Sequence, residues 1–346
     1  MSPTSHIPEL VSRIRAGDVR ALSRAISAVE DHTPESTELL KALFPYSGNA
    51  ALLGITGAPG SGKSTLVDQL ARLYRKQVKT VGIVAVDPTS PFSGGAILGD
   101  RIRMQSHHAD PGIFIRSMAT RGSLGGLAST TADVATVLDA SGRDIVMIET
   151  VGVGQDEIDI VRLADVTVVV LVPGMGDDVQ TIKAGIMEIA DIFVINKADR
   201  EGAERVEREI RAMQAITPSR ANSARAASPV RTGAAGDTGG PAIRKDDWTP
   251  PIVKTVANEG SGTEELVTAI ESYRSYLEQS GRARTRRIEN WRGRIAEMLR
   301  DALFQHVLSY YLSEGESTRL AREVAEHRRD PYSLVEELVG ELGTPE

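Results

Sequence analysis

Cysteine is absent from all 346 residues. Its absence excludes disulfides, iron–sulfur clusters and thiolate metal sites, and gives no sign of an oxidising compartment. Aromatic residues are scarce at 4%, and no window approaches the roughly 18 consecutive apolar residues that a membrane-spanning helix requires. An excess of positive charge is missing too. The formal net charge is -7, so no global basic field draws the chain to nucleic acid or to an anionic membrane. The arginine-rich run "GRARTRR" (281–287) reads as a solvated linker or a helix start. The opening "MSPTSHIPEL" has neither the apolar core of a signal peptide nor the Arg-rich character of a transit peptide, and a cytoplasmic location is expected. What remains, 41% apolar and 25% charged residues, suits a soluble globular protein with one sizeable core and helical extensions.

Residues 1–48 form the first segment. Ile7, Leu10, Val11 and Ile14 share one helical face, Gly17 and Asp18 break the pattern, and Leu22, Ile26 and Val29 resume it, which predicts an N-terminal helical extension. From residue 51 short apolar runs alternate with helical stretches: "ALLGIT", "TVGIVAVD", "DIVMIET", "VTVVVLV", "DIFVIN" and "PIVKTVA". Near-continuous Val/Ile/Leu strands separated by helices predict an α/β domain over 49–274, with a mostly parallel sheet covered on both faces. Within it, residues 217–249 are rich in Ala, Ser, Gly and Arg with almost no large apolar side chains, and a flexible surface insertion is expected there. The remainder, 275–346, carries Ile288, Trp291, Ile295, Met298, Leu299, Leu303, Val307 and Tyr310 at helical spacing. That stripe has no obvious partner in a finished sheet domain, so a C-terminal helical dimerisation extension and a homodimer are expected.

The chemistry starts at "GAPGSGKS", lying between the strand "LLGIT" and an amphipathic helix with Leu66, Leu70 and Leu73. Gly57, Ala58, Pro59, Gly60, Ser61, Gly62, Lys63, Ser64 and the following Thr65 match a P-loop. Its backbone N–H groups cradle phosphates, its lysine reaches the β- and γ-phosphates, and its serine hydroxyl holds Mg²⁺. At the end of "DIFVI" stands "NKAD" (Asn196, Lys197, Asp199), a base-reading motif of GTPases. A carboxylate at Asp199 accepts from two guanine nitrogens but meets the lone-pair acceptor of adenine, so GTP and GDP are the expected ligands. Ala257 in "TVANEG" stands where GTPases place a backbone N–H against the guanine oxygen. Three acids, Asp87, Asp100 and Glu149, end strands or follow a glycine-rich segment and form a hard-oxygen set of the kind Mg²⁺ prefers.

Taken in order, "GAPGSGKST", "VDPTSPFSGGAILGDRIRM", "ETVGVGQ", "LVPGMGDDVQTIKAGI" and "NKAD" resemble the MeaB/MMAA family of P-loop GTPases, once called ArgK, over residues 7–310. The resemblance implies a P-loop NTPase sheet and a homodimeric, Mg²⁺-dependent GTPase. It further implies a chaperone for adenosylcobalamin-dependent acyl-CoA mutases, typically methylmalonyl-CoA mutase, that gates cofactor loading. It assigns Lys63 and Ser64 to the phosphates and metal, Asp87, Asp100 and Glu149 to the Mg²⁺ site, and Asn196 and Asp199 to the base; beside them, Lys63, Glu149 and a water-orienting Gln155 are the candidate catalytic residues, and Lys197 and Ala257 complete the candidate nucleotide contacts. It places switch I over Pro88–Asp100, switch II over Val151–Glu157 and a third switch in "PGMGDDVQTIK", with Gly174, Gly176, Asp177, Asp178 and Lys183. Locally, that last stretch also reads as a long turn capped by Asp177 or Asp178. Arg101, Arg103, Arg116 and Arg121 lie near the switches as candidates for an arginine finger. Nickel-inserting GTPases need thiolates or clustered histidines near the nucleotide site, whereas this chain has no cysteine and no His-x-His. A small-molecule kinase needs an acceptor pocket with a base, for which only the Asp177–Asp178 pair offers itself.

Overall fold

The computed structural model describes residues 6–87, 110–119, 126–150, 163–174, 189–216, 248–310 and 314–341. The chain divides into two compact units, residues 1–287 and 288–346. Among the described residues of the first unit, seven strands make one parallel sheet: β1 (Ala51–Gly57), β2 (Val81–Asp87), β3 (Ile113–Ala119), β4 (Ile145–Glu149), β5 (Val166–Leu171), β6 (Ile192–Asn196) and β7 (Ile252–Thr255). Their order is β3-β2-β4-β1-β5-β6-β7. β1 pairs with β4 through Leu53↔Met147 and Ile55↔Glu149, and with β5 through Leu53↔Val166. The chain therefore switches direction of progress on the two sides of β1, and the loop leaving β1 opens into the crevice between them.

Three helices precede the sheet: α1 (Ile7–Arg15), α2 (Val19–Glu30) and α3 (Ser36–Leu43). The break read at Gly17 and Asp18 is a helix stop followed by a start. Gly17 takes φ 82°, and the Asp18 carboxylate accepts from the amides of Arg20 and Ala21 at 2.9 and 3.1 Å, capping α2. Ile14, Leu22, Ile26 and Leu43 are buried in a core shared with Val84, Val146 and Ile148 of the sheet and with α5 (Gly126–Ala140). The N-terminal extension thus completes the helical layer on one face. On the other face α4 (Lys63–Lys76) and α7 (Thr263–Gln279) pack on Leu53, Ile55, Met147 and Val168. α6 (Ala203–Ile216) closes a smaller core beneath β5 and β6 through Val206 and Ile210. α7 runs through the expected boundary at residue 274 and contributes Tyr273 and Leu277 to the sheet core.

Trp248, placed in the insertion on sequence grounds, is fixed to this core. Its ring lies 4.9 Å from Tyr273 and 5.5 Å from Tyr276, and its indole N–H donates to the Asp191 carbonyl at 2.9 Å. The same Asp191 anchors the start of α8 (Arg282–Tyr310): Arg286 donates to both of its carboxylate oxygens at 3.1 and 2.9 Å, to the Tyr273 hydroxyl at 2.6 Å and to the Ala164 carbonyl. Burial works against the Arg286 charge, but Asp191 and Tyr273 outweigh it and hold the guanidinium above its ordinary pKa. Residues 217–247 lie outside the described residues.

The second unit contains the remainder of α8, then α9 (Glu314–Ala325) and α10 (Pro331–Glu341). Among its described residues the one buried hydrophobic side chain is Leu320, whereas Ile288, Ile295, Leu299 and Leu303 of α8 and Tyr332, Val335 and Val339 of α10 stand exposed. No helix among the described residues is long and apolar enough to cross a membrane.

Candidate functional site

β1 ends in the motif that opens the site. Gly57 takes φ 145°, Gly60 76° and Gly62 89°, conformations that a side chain would strain. A Cβ on Gly57 would fall 2.1 Å from the Val170 carbonyl oxygen of β5, so the loop fits between its flanking strands only as glycine. Gly62 then starts α4, whose first-turn amides face the loop. Inside the turn Lys63 is buried and donates to the carbonyls of Gly57 and Ala58 at 2.7 and 3.1 Å. A buried ammonium held against loop carbonyls, beside a row of helix-end amides, is the arrangement that receives a polyphosphate.

One residue further, the Ser64 hydroxyl donates to Glu149 Oε1 at 2.6 Å, joining the first turn of α4 to the last residue of β4. Glu149 is buried at 4% exposure. A serine hydroxyl and a buried carboxylate at contact distance, facing a phosphate cradle, are hard oxygen donors of the kind Mg²⁺ accepts. Asp87 closes β2, the strand beside β4, as expected for a third acid. Asp100, Gln155, Gly176, Asp177, Asp178 and Lys183 lie outside the described residues, as do Arg101, Arg103 and Arg121. Gly174 is described and adopts φ 89° after β5, a turn position suited to glycine.

The base motif is tied to the phosphate loop more closely than its sequence spacing suggests. Asn196 is buried at the end of β6; its amide donates to the Ser61 carbonyl at 2.8 Å, and its Oδ1 accepts from the Thr255 hydroxyl and the Ala257 amide, both at 3.1 Å. Lys197, at φ 55°, donates to the Gly60 carbonyl at 2.8 Å. Asp199 is exposed beyond them. Two readings change. The Ala257 N–H, expected against the guanine oxygen, is engaged by Asn196, and Asn196 itself joins three chain segments as a brace. Asp199 is left as the exposed acid of this motif. Arg116 is also corrected as a finger candidate: its guanidinium forms a two-oxygen ion pair with Glu30 and a 3.1 Å bond to the Ser27 hydroxyl, binding β3 to α2.

Two hydroxyls beneath the site escaped the sequence reading. Thr150 donates to Thr56 Oγ at 3.0 Å, and both side chains are buried at 1% exposure. The available signal was a threonine at the tip of each of two largely apolar runs, "LLGIT" and "VMIET".

Comparison with known proteins agrees with this geometry. Residues 22–311 match the family described as Methylmalonyl Co-A mutase-associated GTPase MeaB. A candidate GTPase of Pyrococcus abyssi is 47% identical, the alignment covering 97% of each chain. GTPase ArgK of Escherichia coli is 34% identical over 92% of this chain and 89% of its own. Among solved structures, a LAO/AO transport system kinase superposes with a TM-score of 0.65 at 24% identity, covering 99% of this chain and 100% of that one, a likeness of fold.

Proposed function

The chain belongs to the family of methylmalonyl-CoA mutase-associated GTPases, MeaB, and from that premise we propose that it is a GTP-hydrolysing chaperone whose nucleotide state governs cofactor loading and protection of an adenosylcobalamin-dependent acyl-CoA mutase. Hydrolysis of GTP belongs to the family; the partner, the metal and the assembly are our reading. The observation that carries it is that three separate contacts meet at one phosphate loop and its helix, Lys63 on the Gly57 carbonyl, Ser64 on Glu149 and Asn196 on the Ser61 carbonyl, with Asp199 exposed beside them. Lys63 would serve the phosphates, and Ser64, Glu149, Asp87 and Asp100 would hold Mg²⁺, which would supply positive charge beside the phosphates when bound. Asp199 selects guanine over adenine by rejecting the acceptor that adenine presents.

Slow unaided turnover is expected, with a partner stabilising the productive arrangement of the segment from Gly174 to Lys183. A homodimer is our reading of the exposed apolar side chains of α8 and α10, which enter no buried core among the described residues of the second unit. The cytoplasm is the expected location. Isothermal calorimetry and phosphate release test the reading together. GTP and GDP bind in the presence of Mg²⁺ while ATP does not. Lys63→Ala lowers GTP affinity about 10- to 150-fold, the loss of one charge-assisted contact, and abolishes hydrolysis. A purified adenosylcobalamin-dependent mutase accelerates the parent. Equal affinity for ATP and GTP would remove the base assignment, and no response to any such mutase would remove the chaperone role while leaving the GTPase.

A further inference from the structure

The pairing of β1 with β4 ends at Ile55↔Glu149, and the amide of Thr150 makes one more bond to the Ile55 carbonyl at 3.0 Å. β1 continues to Gly57, where the phosphate loop begins. Side chains alternate between faces along a strand. Ile55 and Glu149 therefore share the face that carries α4, and Thr56 and Thr150 share the opposite face with Val146 and Ile148. The strand tips are tied on both sides. In front, Ser64 donates to Glu149 at 2.6 Å; behind, Thr150 donates to Thr56 at 3.0 Å.

A valine pair would fill the same volume, and exchanging a buried hydrogen-bonded pair for apolar isosteres is close to neutral in stability. What the hydroxyls add is direction. A hydrogen bond restricts two heavy atoms to a narrow range of distance and angle, whereas an aliphatic contact allows the tips to slide. Position matters at this point because the residue before Thr150 is the carboxylate Glu149 and the residue after Thr56 is the first glycine of the cradle. Mg²⁺ demands near-ideal octahedral geometry at about 2.0–2.1 Å, so a slip of a few tenths of an ångström between these segments is felt first as weaker metal binding.

We infer that Thr56 and Thr150 are a positioning pair that sets the spacing between the phosphate loop and Glu149, and thereby the affinity of the Mg²⁺–nucleotide complex. This rests on the proposed Mg²⁺-dependent guanine-nucleotide binding. The test follows release of a fluorescent GDP analogue from the full-length chain over a range of free Mg²⁺. Thr150→Val and Thr56→Val each raise the Mg²⁺ concentration needed for half-maximal slowing of release by about 5-fold, the loss of one hydrogen bond. The double variant is no worse than either single one, because both remove the same bond. Thr150→Ser, which keeps the hydroxyl, restores the parent value, and release in excess EDTA is the same for all. A merely structural role would instead accelerate release in EDTA and lower the melting temperature together. That outcome overturns the inference, and so does an unchanged Mg²⁺ midpoint in both valine variants. Failure of the parent to retain GDP with Mg²⁺ would instead refute the underlying reading of the site.

Discussion

Val78 is 84% exposed and held at φ 62° in the turn between α4 and β2, its amide donating to the Arg75 carbonyl at 2.9 Å. A β-branched side chain in the left-handed region carries local strain of order 1–3 kcal/mol, with little burial to offset it. Asparagine tolerates that conformation through its short polar side chain. Val78→Asn is therefore expected to raise unfolding free energy by about 1 kcal/mol in urea titration; a lower midpoint would mean that the valine side chain supports the turn. Legibility at this scale depended on whether a residue's partners are close in sequence. Gly57, Gly60 and Gly62 were readable because the loop dictates their backbone shape, and Asp18 because a cap acts on the next turn. Asn196 was readable as a base-motif residue but not as a brace, since its partners Ser61, Thr255 and Ala257 come from two other segments. The Arg116–Glu30 pair was hidden for the same reason, 86 positions separating its members.

Strands and helices were largely visible from their periodicity, because a parallel sheet buried on both faces forces near-continuous apolar runs. The boundaries were less so. Nothing in the composition of 217–249 distinguishes Trp248 from its neighbours except its size, yet it packs on Tyr273 and Tyr276. On the other side, Gln214 near the end of α6 donates to the Pro250 carbonyl at 2.8 Å. The described residues on either side of 217–247 are thus adjacent. Replacing residues 218–246 by a few glycine and serine residues should leave GDP affinity within about 2-fold of the parent and the melting temperature unchanged or higher, since a shorter loop costs less to close. Calorimetry with GDP checks this, and a large loss of affinity would show that the segment supports the site.

At the scale of the whole molecule, the sheet unit is self-sufficient: every strand except the edges is flanked on both sides, and three cores fill its layers. The unit beyond Arg287 is built differently. Leu320 is its one buried hydrophobic side chain among the described residues, against exposed Ile295, Leu299, Leu303, Tyr332, Val335 and Val339. The periodicity of 288–310 announced this apolar stripe, but a stripe in sequence does not say whether its cover comes from the same chain. If a second copy covers it, Ile295→Glu combined with Leu299→Glu in the full chain should weaken dimerisation at least about 100-fold. Light scattering would then give the monomer mass with GDP binding intact, and an unchanged dimer mass would place the interface elsewhere.

If a second copy covers the apolar side chains left exposed among the described residues of that C-terminal unit, there is a thermal corollary. A fold whose apolar groups are covered only by association obeys mass action, so its melting temperature must climb with protein concentration, whereas that of the sheet unit stays fixed. Calorimetric scans of dilute and concentrated samples would then show one endotherm moving towards the other.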